Sequence, residues 1–509
     1  MEKNAKKKSF GKKLKKKLKQ NVYRWHKILA FITVIPVLFW CLSGTMHPFM
    51  AHFFKPVIAH EVLEKAPLDT TVIKIGLREA LVQNGLTKIK NFRFVSFGGH
   101  QYYQVKTIAG SIIYLNTYDG RKLENGDALY AVWLSRYFLD DAKSTVQKQE
   151  VITQFNSEYK YVNRYLPVHK VSFERQDKMQ VYVETTTDKL ATFNPRSRQW
   201  FILFFDTFHN WSFINAISNN EARIFLMLFL LAIIGLSALS GLVIYGLFWK
   251  QFRKARVADQ YSKWRKYHRQ TGLGLALFTL LFAFSGGYHA TKKWNPVAFE
   301  KMVYEPVFNV SDLSSQDVNR LLLLPDFNNV SLICFKDILF YRCELVHEGE
   351  NTVLYFNAVT GKEEPSVDIE YAVFLADYFN TKIAKAKGSC CSMAEFSGMS
   401  LKKQKIKQIE RITNFKNKEY GFVNKRLPVI RVAYESKSNK TLFIETATSR
   451  LAAYITNNDR VEGYSFAIFH KFLFMEWAGK DIRDLTMVLA AIGIVVVGVL
   501  GLLLLFKRK

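Results

Sequence analysis

The sequence predicts a membrane α-helical protein with four transmembrane helices and two α+β domains outside the membrane, arranged as an internal duplication. Three observations predict this class: four long stretches without charged residues, basic segments at their ends, and a self-similarity that covers nearly the whole chain. The 509 residues carry a formal charge of +29 and are 49% hydrophobic. This composition excludes a disordered chain, and five cysteines are too few for a disulfide scaffold.

Four long stretches of the chain contain no Asp, Glu, Lys or Arg. A helix that rises about 1.5 Å per residue needs about 20 residues to cross the hydrocarbon core, and each stretch is long enough. The first stretch is long for a signal peptide and no A-x-A cleavage site follows it, which favours a retained anchor. The predicted transmembrane helices are residues 28–48, 224–249, 270–290 and 485–506.

Basic residues predict the orientation of these helices. Ten lysines occur between Met1 and Gln20, and the connector 250–269 carries eight basic residues and one acidic residue. The positive-inside rule places residues 1–27, the connector and the tail 507–509 in the cytoplasm. Domains 49–223 and 291–484 are then periplasmic, and the protein belongs to the cytoplasmic (inner) membrane. Because the lysine run directly precedes a span, we attribute it to attraction by the lipid bilayer and expect no nucleic-acid partner.

The chain resembles itself along nearly its whole length, with one insertion in the second half around residues 383–402. Such a long repeat predicts two copies of one unit, each with a helix in, a domain outside and a helix out. The matched segments include Ser43-Gly44-Thr45-Met46-His47 with Ser285-Gly286-Gly287-Tyr288-His289, Val162–Val168 with Val423–Val429, Glu184-Thr185 with Glu445-Thr446, and Phe208-His209 with Phe469-His470.

The hydrophobic pattern between the spans predicts an α+β domain in each copy. In the first copy, residues 71–85 and 126–140 have the period of helices. Residues 89–118 alternate as short strands, and residues 168–193 alternate as a β-hairpin. The second copy repeats this order of elements.

Six of the eleven histidines occupy matched positions in the two copies. They are His26 and His268, His47 and His289, and His209 and His470. The first two histidines of each copy are about six helical turns apart, so they bound one span with an imidazole near each face. Small residues that would leave room for a flat macrocycle lie one turn inward, namely Ala30, Ser43, Gly44, Gly272, Ser285 and Gly286. Because neutral imidazole is a favoured ligand of haem iron, we predict haem b with these six histidines as axial ligands.

Geometry limits how the histidines share iron. Only His26 and His268 reach the cytoplasmic side, and they are expected to bind one iron together. The four outer histidines could hold one or two further haems. One to three haems are therefore expected per chain. Incidental histidines at helix ends are the alternative, since small residues also serve helix packing. Zinc or copper is disfavoured because no carboxylate or cysteine lies at metal-site spacing beside the six. The unmatched histidines, interpreted as surface or loop residues, are His52, His60, His100, His169 and His347.

These features resemble the PepSY-associated transmembrane family, which has a histidine at the cytoplasmic start of a span, Ser-Gly then histidine near its outer end, and Phe-His before the returning span. Leu166-Pro167-Val168 with Tyr182-Val183-Glu184 is similar to the family's Pro-Val and Tyr-Val-Asp pattern, with Glu in place of Asp. The matching segment of the second copy has the same similarity. The resemblance implies PepSY-like ectodomains and, as in some members, an iron-regulated haem b protein that releases iron from ferric siderophores.

The combined expectation is an oxidoreductase that transfers electrons through haem b to a periplasmic ferric siderophore or similar chelate for iron acquisition. Its electron donor would be a quinol or a cytoplasmic reductant. The alternative is a haem-free, membrane-anchored PepSY protein that binds or regulates an extracytoplasmic protease or another partner. No Walker, GxGxxG, GxSxG or HExxH motif occurs, so nucleotide-driven transport and hydrolysis lack support.

Two pairs of cysteines lie in the second predicted domain. Cys334 and Cys343 fall on adjacent predicted strands, where an oxidising compartment would permit a disulfide. Cys390-Cys391 lies in the insertion that only the second copy carries, and its role stays open.

Overall fold

The computed structural model describes residues 2–254, 260–294, 297–313, 315–388, 404–417 and 419–506. The chain forms two compact units. We call them the helical unit, residues 1–55, 197–297 and 458–509, and the sheet unit, residues 56–196 and 298–457. Every matched histidine pair belongs to the helical unit.

The described residues form ten α-helices and sixteen strands. The helices are α1 (Glu2–Phe53), α2 (Leu77–Gln83), α3 (Gly126–Leu139), α4 (Arg196–Phe208), α5 (Asn220–Lys254), α6 (Gln260–Thr291), α7 (Ser315–Leu321), α8 (Val367–Gly388), α9 (Asn457–Ser465) and α10 (Gly479–Phe506). The strands are β1 (Lys88–Phe97), β2 (His100–Thr107), β3 (Ile112–Asn116), β4 (Lys122–Leu123), β5 (Val146–Ile152), β6 (Val168–Phe173), β7 (Gln180–Glu184), β8 (Lys189–Asn194), β9 (Phe308–Asn309), β10 (Phe327–Phe335), β11 (Ile338–His347), β12 (Glu350–Asn357), β13 (Ile406–Ile412), β14 (Val429–Tyr434), β15 (Thr441–Glu445) and β16 (Arg450–Ile455).

Four segments within the described residues are long and apolar enough to cross a membrane. They are Lys17–Phe53 in α1, Asn220–Arg253 in α5, Gln260–Thr291 in α6, and Leu473–Phe506, which includes α10. Each contains one predicted span, so the prediction of a four-span membrane protein is confirmed. The helices extend beyond the charge-free stretches because long basic side chains at a helix end can reach the lipid–water boundary.

The four membrane helices form a bundle in which α1 and α6 each pack against both α5 and α10. Close approach depends on small residues, as is usual for helices in lipid. A Cβ atom on Gly493 of α10 would lie 2.6 Å from Leu275 of α6, and one on Gly498 would lie 3.7 Å from Val34 of α1. We call the end of the bundle at Phe53 the domain end, because the chain continues from there into the sheet unit, and the opposite end the connector end.

The sheet unit contains four antiparallel sheets, with strand orders β4-β3-β2-β1-β9, β5-β6-β7-β8, β10-β11-β12 and β13-β14-β15-β16. One core packs side chains of β1 and β2 against those of β10 and β11, with Phe94, Tyr103 and Leu332 fully buried. Another core packs α3 against β6 and β7. The predicted helix at 126–140 and the predicted hairpin at 168–193 are confirmed by α3 and by strands β6 to β8.

Two asparagines join the sheets that contain β1 and β10. The Asn91 amide donates to the carbonyl of Leu332 at 3.1 Å and accepts from its N–H at 2.9 Å. Asn329 makes the reciprocal pair, donating to the carbonyl of Phe94 at 2.9 Å and accepting from its N–H at 2.8 Å. Strand β10 is the edge of its sheet, and β9 pairs with β1 only at Lys88 and Ile89, so these bonds satisfy backbone groups of Leu332 and Phe94 that no neighbouring strand takes.

A buried arginine connects two matched glutamates. Arg426 Nη2 lies 2.9 Å from Glu184 Oε1, and its Nη1 lies 2.8 Å from Glu445 Oε2. All three side chains are at most 5% exposed. Although burial alone raises it, the nearby charges of Arg426 and Lys189 lower the pKa of Glu445 to about 2. Glu445 is therefore ionised at neutral pH, and the guanidinium is needed to compensate buried negative charge.

We predict that Arg426→Met destabilises the protein by about 3–5 kcal/mol, because it leaves buried Glu184 without its cation and Glu445 with only Lys189, at 3.5 Å. Arg431→Met is the matched control, since Arg431 lies on β14 with partly exposed partners and is expected to cost about 1 kcal/mol or less. Denaturant unfolding of the purified protein, followed by far-ultraviolet circular dichroism, measures both. Equal losses in the two variants would contradict this account.

Two sets of predicted boundaries differ from the structure. The helix predicted at 71–85 begins only at Leu77, because Asp69 caps a short 3-10 turn before Gly76. The two predicted domains, 49–223 and 291–484, extend beyond the segments of the sheet unit, 56–196 and 298–457. Residues 197–223 and 458–484 belong to the helical unit instead. These two segments carry His209 and His470 onto the membrane helices.

One possibility that the sequence left open is not realised, and one further expectation is wrong. In the β10–β11 register, Cys334 lies opposite Leu339 and Cys343 lies opposite Val330, so both thiols are free and no disulfide joins them. His169 is not a surface residue but lies buried on β6, with its Nε2 2.7 Å from Asp127 Oδ2. Cys390-Cys391 lies outside the described residues.

Candidate functional site

The structure brings the predicted histidines His26 and His268 together at the connector end of the bundle. Their ring centroids are 6.4 Å apart, at an interplanar angle of 52°. Two imidazoles that bind one metal ion from opposite sides, each with a bond of about 2 Å, have ring centroids about 6 Å apart. This pair therefore has the separation required for two axial ligands of one iron.

The hydrogen bonds of this pair define the protonation of each ring. His26 Nδ1 lies 2.9 Å from Ser240 Oγ and 3.1 Å from the carbonyl of Ser237, and His268 Nδ1 lies 3.2 Å from the carbonyl of Val497. A carbonyl can only accept, so Nδ1 carries the proton in both rings. Nε2 then has a free lone pair, which is the state in which imidazole binds a metal.

Glycines on the neighbouring helices provide the space for these two rings. A Cβ atom on Gly241 of α5 would lie 3.3 Å from His26 Cε1, and one on Gly501 of α10 would lie 3.4 Å from His268 Cε1. We call the combination of an acceptor for Nδ1 and a glycine against Cε1 a histidine seat. The two glycines were not predicted from the sequence, because their histidines lie on other helices.

The matched Ser-Gly pairs form two more seats, near the domain end. Ser43 Oγ lies 3.1 Å from His209 Nδ1, and Ser285 Oγ lies 3.2 Å from His470 Nδ1. Each hydroxyl donates to a carbonyl of its own helix, so it accepts the N–H of the imidazole. The sequence pattern suggested that Ser-Gly leaves room for a macrocycle beside His47 and His289. In the structure these residues instead hold His209 and His470.

The same glycine contact recurs in these seats. A Cβ atom on Gly44 would lie 3.6 Å from His209 Cε1, and one on Gly286 would lie 3.7 Å from His470 Cε1. Gly44 lies about five helical turns after His26 on α1, so the two seated pairs are separated by about 27 Å along the helix. The bundle therefore holds one seated pair near each of its ends.

Aromatic rings cover the two histidines near the domain end. Phe205 stacks on His209 at 4.4 Å between centroids, and Phe466 stacks on His470 at 4.6 Å. Trp40 donates from Nε1 to the carbonyl of His209 at 2.9 Å. Burial, reinforced by neighbouring positive and imidazole groups, lowers the pKa of His209 to about 3 and that of His470 to about 4. Both rings are thus neutral at physiological pH, as a metal ligand must be.

The remaining two predicted ligands, His47 and His289, have different surroundings. His47 lies against the edges of Phe201 and Phe205, with ring centroids 6.3 and 6.2 Å away. His289 Nδ1 lies 2.6 Å from Glu462 Oε1. Neither has the glycine seat of the other four. Within the described residues, no group of three or more His, Cys, Asp or Glu side chains is placed to hold a metal ion.

A family model described as the PepSY-associated TM region matches residues 123–509, which is well over half of the chain. The chain belongs to the PepSY-associated transmembrane family. No curated protein matches it. In this PepSY-associated protein, the matched region includes three of the four membrane helices and both Phe-His segments.

We predict that Gly241→Val destabilises this PepSY-associated protein by about 1–3 kcal/mol, because the new side chain overlaps the seat of His26. Gly246→Val is the matched control on the same helix, since a Cβ atom there has no neighbour within 4 Å. Thermal unfolding of both variants in detergent measures the difference. A control that loses as much stability as Gly241→Val would show that the seat has no special role.

Proposed function

We propose that this protein is an inner-membrane haem b protein that carries electrons across the bilayer and reduces a periplasmic ferric chelate of the siderophore type for iron acquisition. The observation that carries this proposal is the set of four seated histidines, two near each end of the bundle. Each presents an unprotonated Nε2 and is held at Nδ1, as metal-ligating histidines are. The 6.4 Å between the rings of His26 and His268 supports one iron between them.

The second iron of the proposal would be held by His209 and His470. These two histidines have the same kind of seat, on Ser43 and Ser285, and each stacks on a matched phenylalanine, Phe205 or Phe466. His47 and His289 are then neighbours of this site rather than its axial ligands. Two haems per chain follow, within the range of one to three expected from the sequence.

Duplication accounts for the pairing. Each proposed iron would be shared by equivalent histidines of the two copies, so neither copy alone could complete a site. The reciprocal bonds of Asn91 and Asn329 support the same twofold relation in the sheet unit. We also infer that the connector end is cytoplasmic, since the lysine-rich start of α1, the basic end of α5 and the basic start of α6 lie there.

The residues of this chain hold, orient and shield the redox centres. When bound, haem b supplies reversible one-electron chemistry between ferrous and ferric iron. The seats fix each ring and keep the proton at Nδ1, so the imidazoles do not titrate during turnover. Phe205, Phe466 and Trp40 exclude water from the pair near the domain end. The chelated Fe(III) gains one electron and leaves as Fe(II), and the electron donor is a quinol or a cytoplasmic reductant.

We predict that His268→Ala lowers the haem content by one haem per chain, because the iron at the connector end loses an axial ligand. His347→Ala is the control, since His347 is 73% exposed and lies in the sheet unit. The pyridine haemochrome assay of the purified variants gives the ratio of haem to protein. An unchanged haem content in His268→Ala would contradict the assignment. A colourless wild-type protein would favour the haem-free regulatory alternative.

A further inference from the structure

The rim of the domain end, around the seats of His209 and His470, presents exposed apolar side chains in both copies. In the first copy, Trp200 and Leu203 of α4 are 61% and 52% exposed. The alignment that matches His209 with His470 places Val461 and Tyr464 of α9 at these positions, and they are 58% and 50% exposed. The two copies are therefore alike in this face, which is suited to the lipid interface.

The two copies differ at this rim in their basic residues. The second copy has three lysines at this rim where the first copy has neutral residues. They are Lys292, Lys293 and Lys471, in place of Met50, Ala51 and Asn210. We call these three lysines the lysine rim.

Two of these lysines lie beside the segments that carry the seated histidines. Lys471 follows His470 directly, and its Nζ lies 5.7 Å from the ring centroid of Phe466, which stacks on His470. Lys293 and Asn210, the residue after His209, both contact the start of α5, since Asn220 donates to the carbonyl of Lys293 at 3.1 Å and Arg223 donates to the carbonyl of Asn210 at 2.7 Å. Lys293 and Lys471 are exposed at the surface, and Lys292 is 31% exposed.

The acidic groups nearby are largely engaged with other partners. Asp459 lies 2.9 Å from Lys292, Glu462 lies 2.6 Å from His289, and Asp484 is paired with Lys480. Asp206, which also faces Lys293, accepts from the Asn210 amide at 3.2 Å. In the part of the chain that the structure describes, neither the Lys293 nor the Lys471 ammonium lies within salt-bridge distance of a carboxylate. The lysine rim thus has surplus positive charge.

We propose that the lysine rim is the docking surface for an anionic, oxygen-rich ferric chelate, such as a polycarboxylate complex of Fe(III). This inference rests on the proposed function and adds to it the charge of the substrate and the copy that receives it. Surplus positive charge next to the redox centre attracts an anion and raises its association rate. One electron passes from the reduced protein to Fe(III), no covalent bond to the protein forms, and the chelate oxygens released from Fe(II) take protons from water.

The test replaces each lysine by its counterpart in the first copy, in the triple variant Lys292→Met, Lys293→Ala, Lys471→Asn. Dithionite-reduced protein is mixed with ferric citrate, which is anionic, or with tris(acetohydroxamato)iron(III), which is neutral. We expect the rate of reoxidation by ferric citrate to fall about tenfold at low salt and to lose its salt dependence. The rate with the neutral complex and the haem content are expected to stay unchanged.

Two controls separate the outcomes. Lys250→Met removes a lysine at the connector end and is expected to change neither rate. Haem propionates are the other anions that these lysines could bind. The docking proposal would therefore be overturned if the triple variant lost haem, showed a shifted haem spectrum, or reacted equally slowly with both iron complexes.

Binding of redox-inert Ga(III) citrate, measured by isothermal titration calorimetry, tests docking without electron transfer. Weaker binding by the triple variant than by the wild type supports the docking proposal. If the wild type binds Ga(III) citrate but reduces no ferric chelate, only the proposed function is rejected. Equal binding by both proteins overturns the docking proposal.

Discussion

Four imidazoles in this bundle depend on one recurring interaction, a hydrogen bond from Nδ1–H to an acceptor on a neighbouring helix, with a glycine against Cε1. The acceptor fixes the tautomer, and the glycine allows the ring to approach the helix backbone. This interaction requires particular contacts elsewhere in the helical unit. Serines must lie next to glycines on α1 and α6, α5 and α10 must pack closely, and the segments after α4 and α9 must return to the bundle to place His209 and His470.

The two halves of the chain are alike in some regions and differ in others. The seats and the reciprocal asparagine bonds are alike in the two halves. Arg426, which bridges the two matched glutamates, breaks this likeness, since Tyr165 occupies its place in the first copy. The rim of the domain end also differs, because only the second half carries the lysine rim. Another difference is the insertion around residues 383–402 of the second half.

The sequence was sufficient to predict the four spans, because charge is costly in lipid and its absence over a stretch long enough to cross the bilayer is a strong signal. It also predicted that His26 and His268 meet, since only they reach the connector end. It could not show that Ser43 holds His209 rather than making room beside His47, because that contact joins two segments far apart in sequence. The same reason concealed Gly241 and Gly501. His169 appeared to be a loop residue because its partner Asp127 lies on a distant helix.

The most direct test of this account is the absorption and electron paramagnetic resonance spectra of the detergent-purified wild-type protein, oxidised and dithionite-reduced, together with its haem stoichiometry. Two seated pairs predict two b-type haems per chain, both low-spin with two imidazole ligands. A protein without haem, purified from cells that make haem in excess, would contradict the central claim. A high-spin spectrum would contradict it as well, because it would show that the paired seats do not supply both axial ligands.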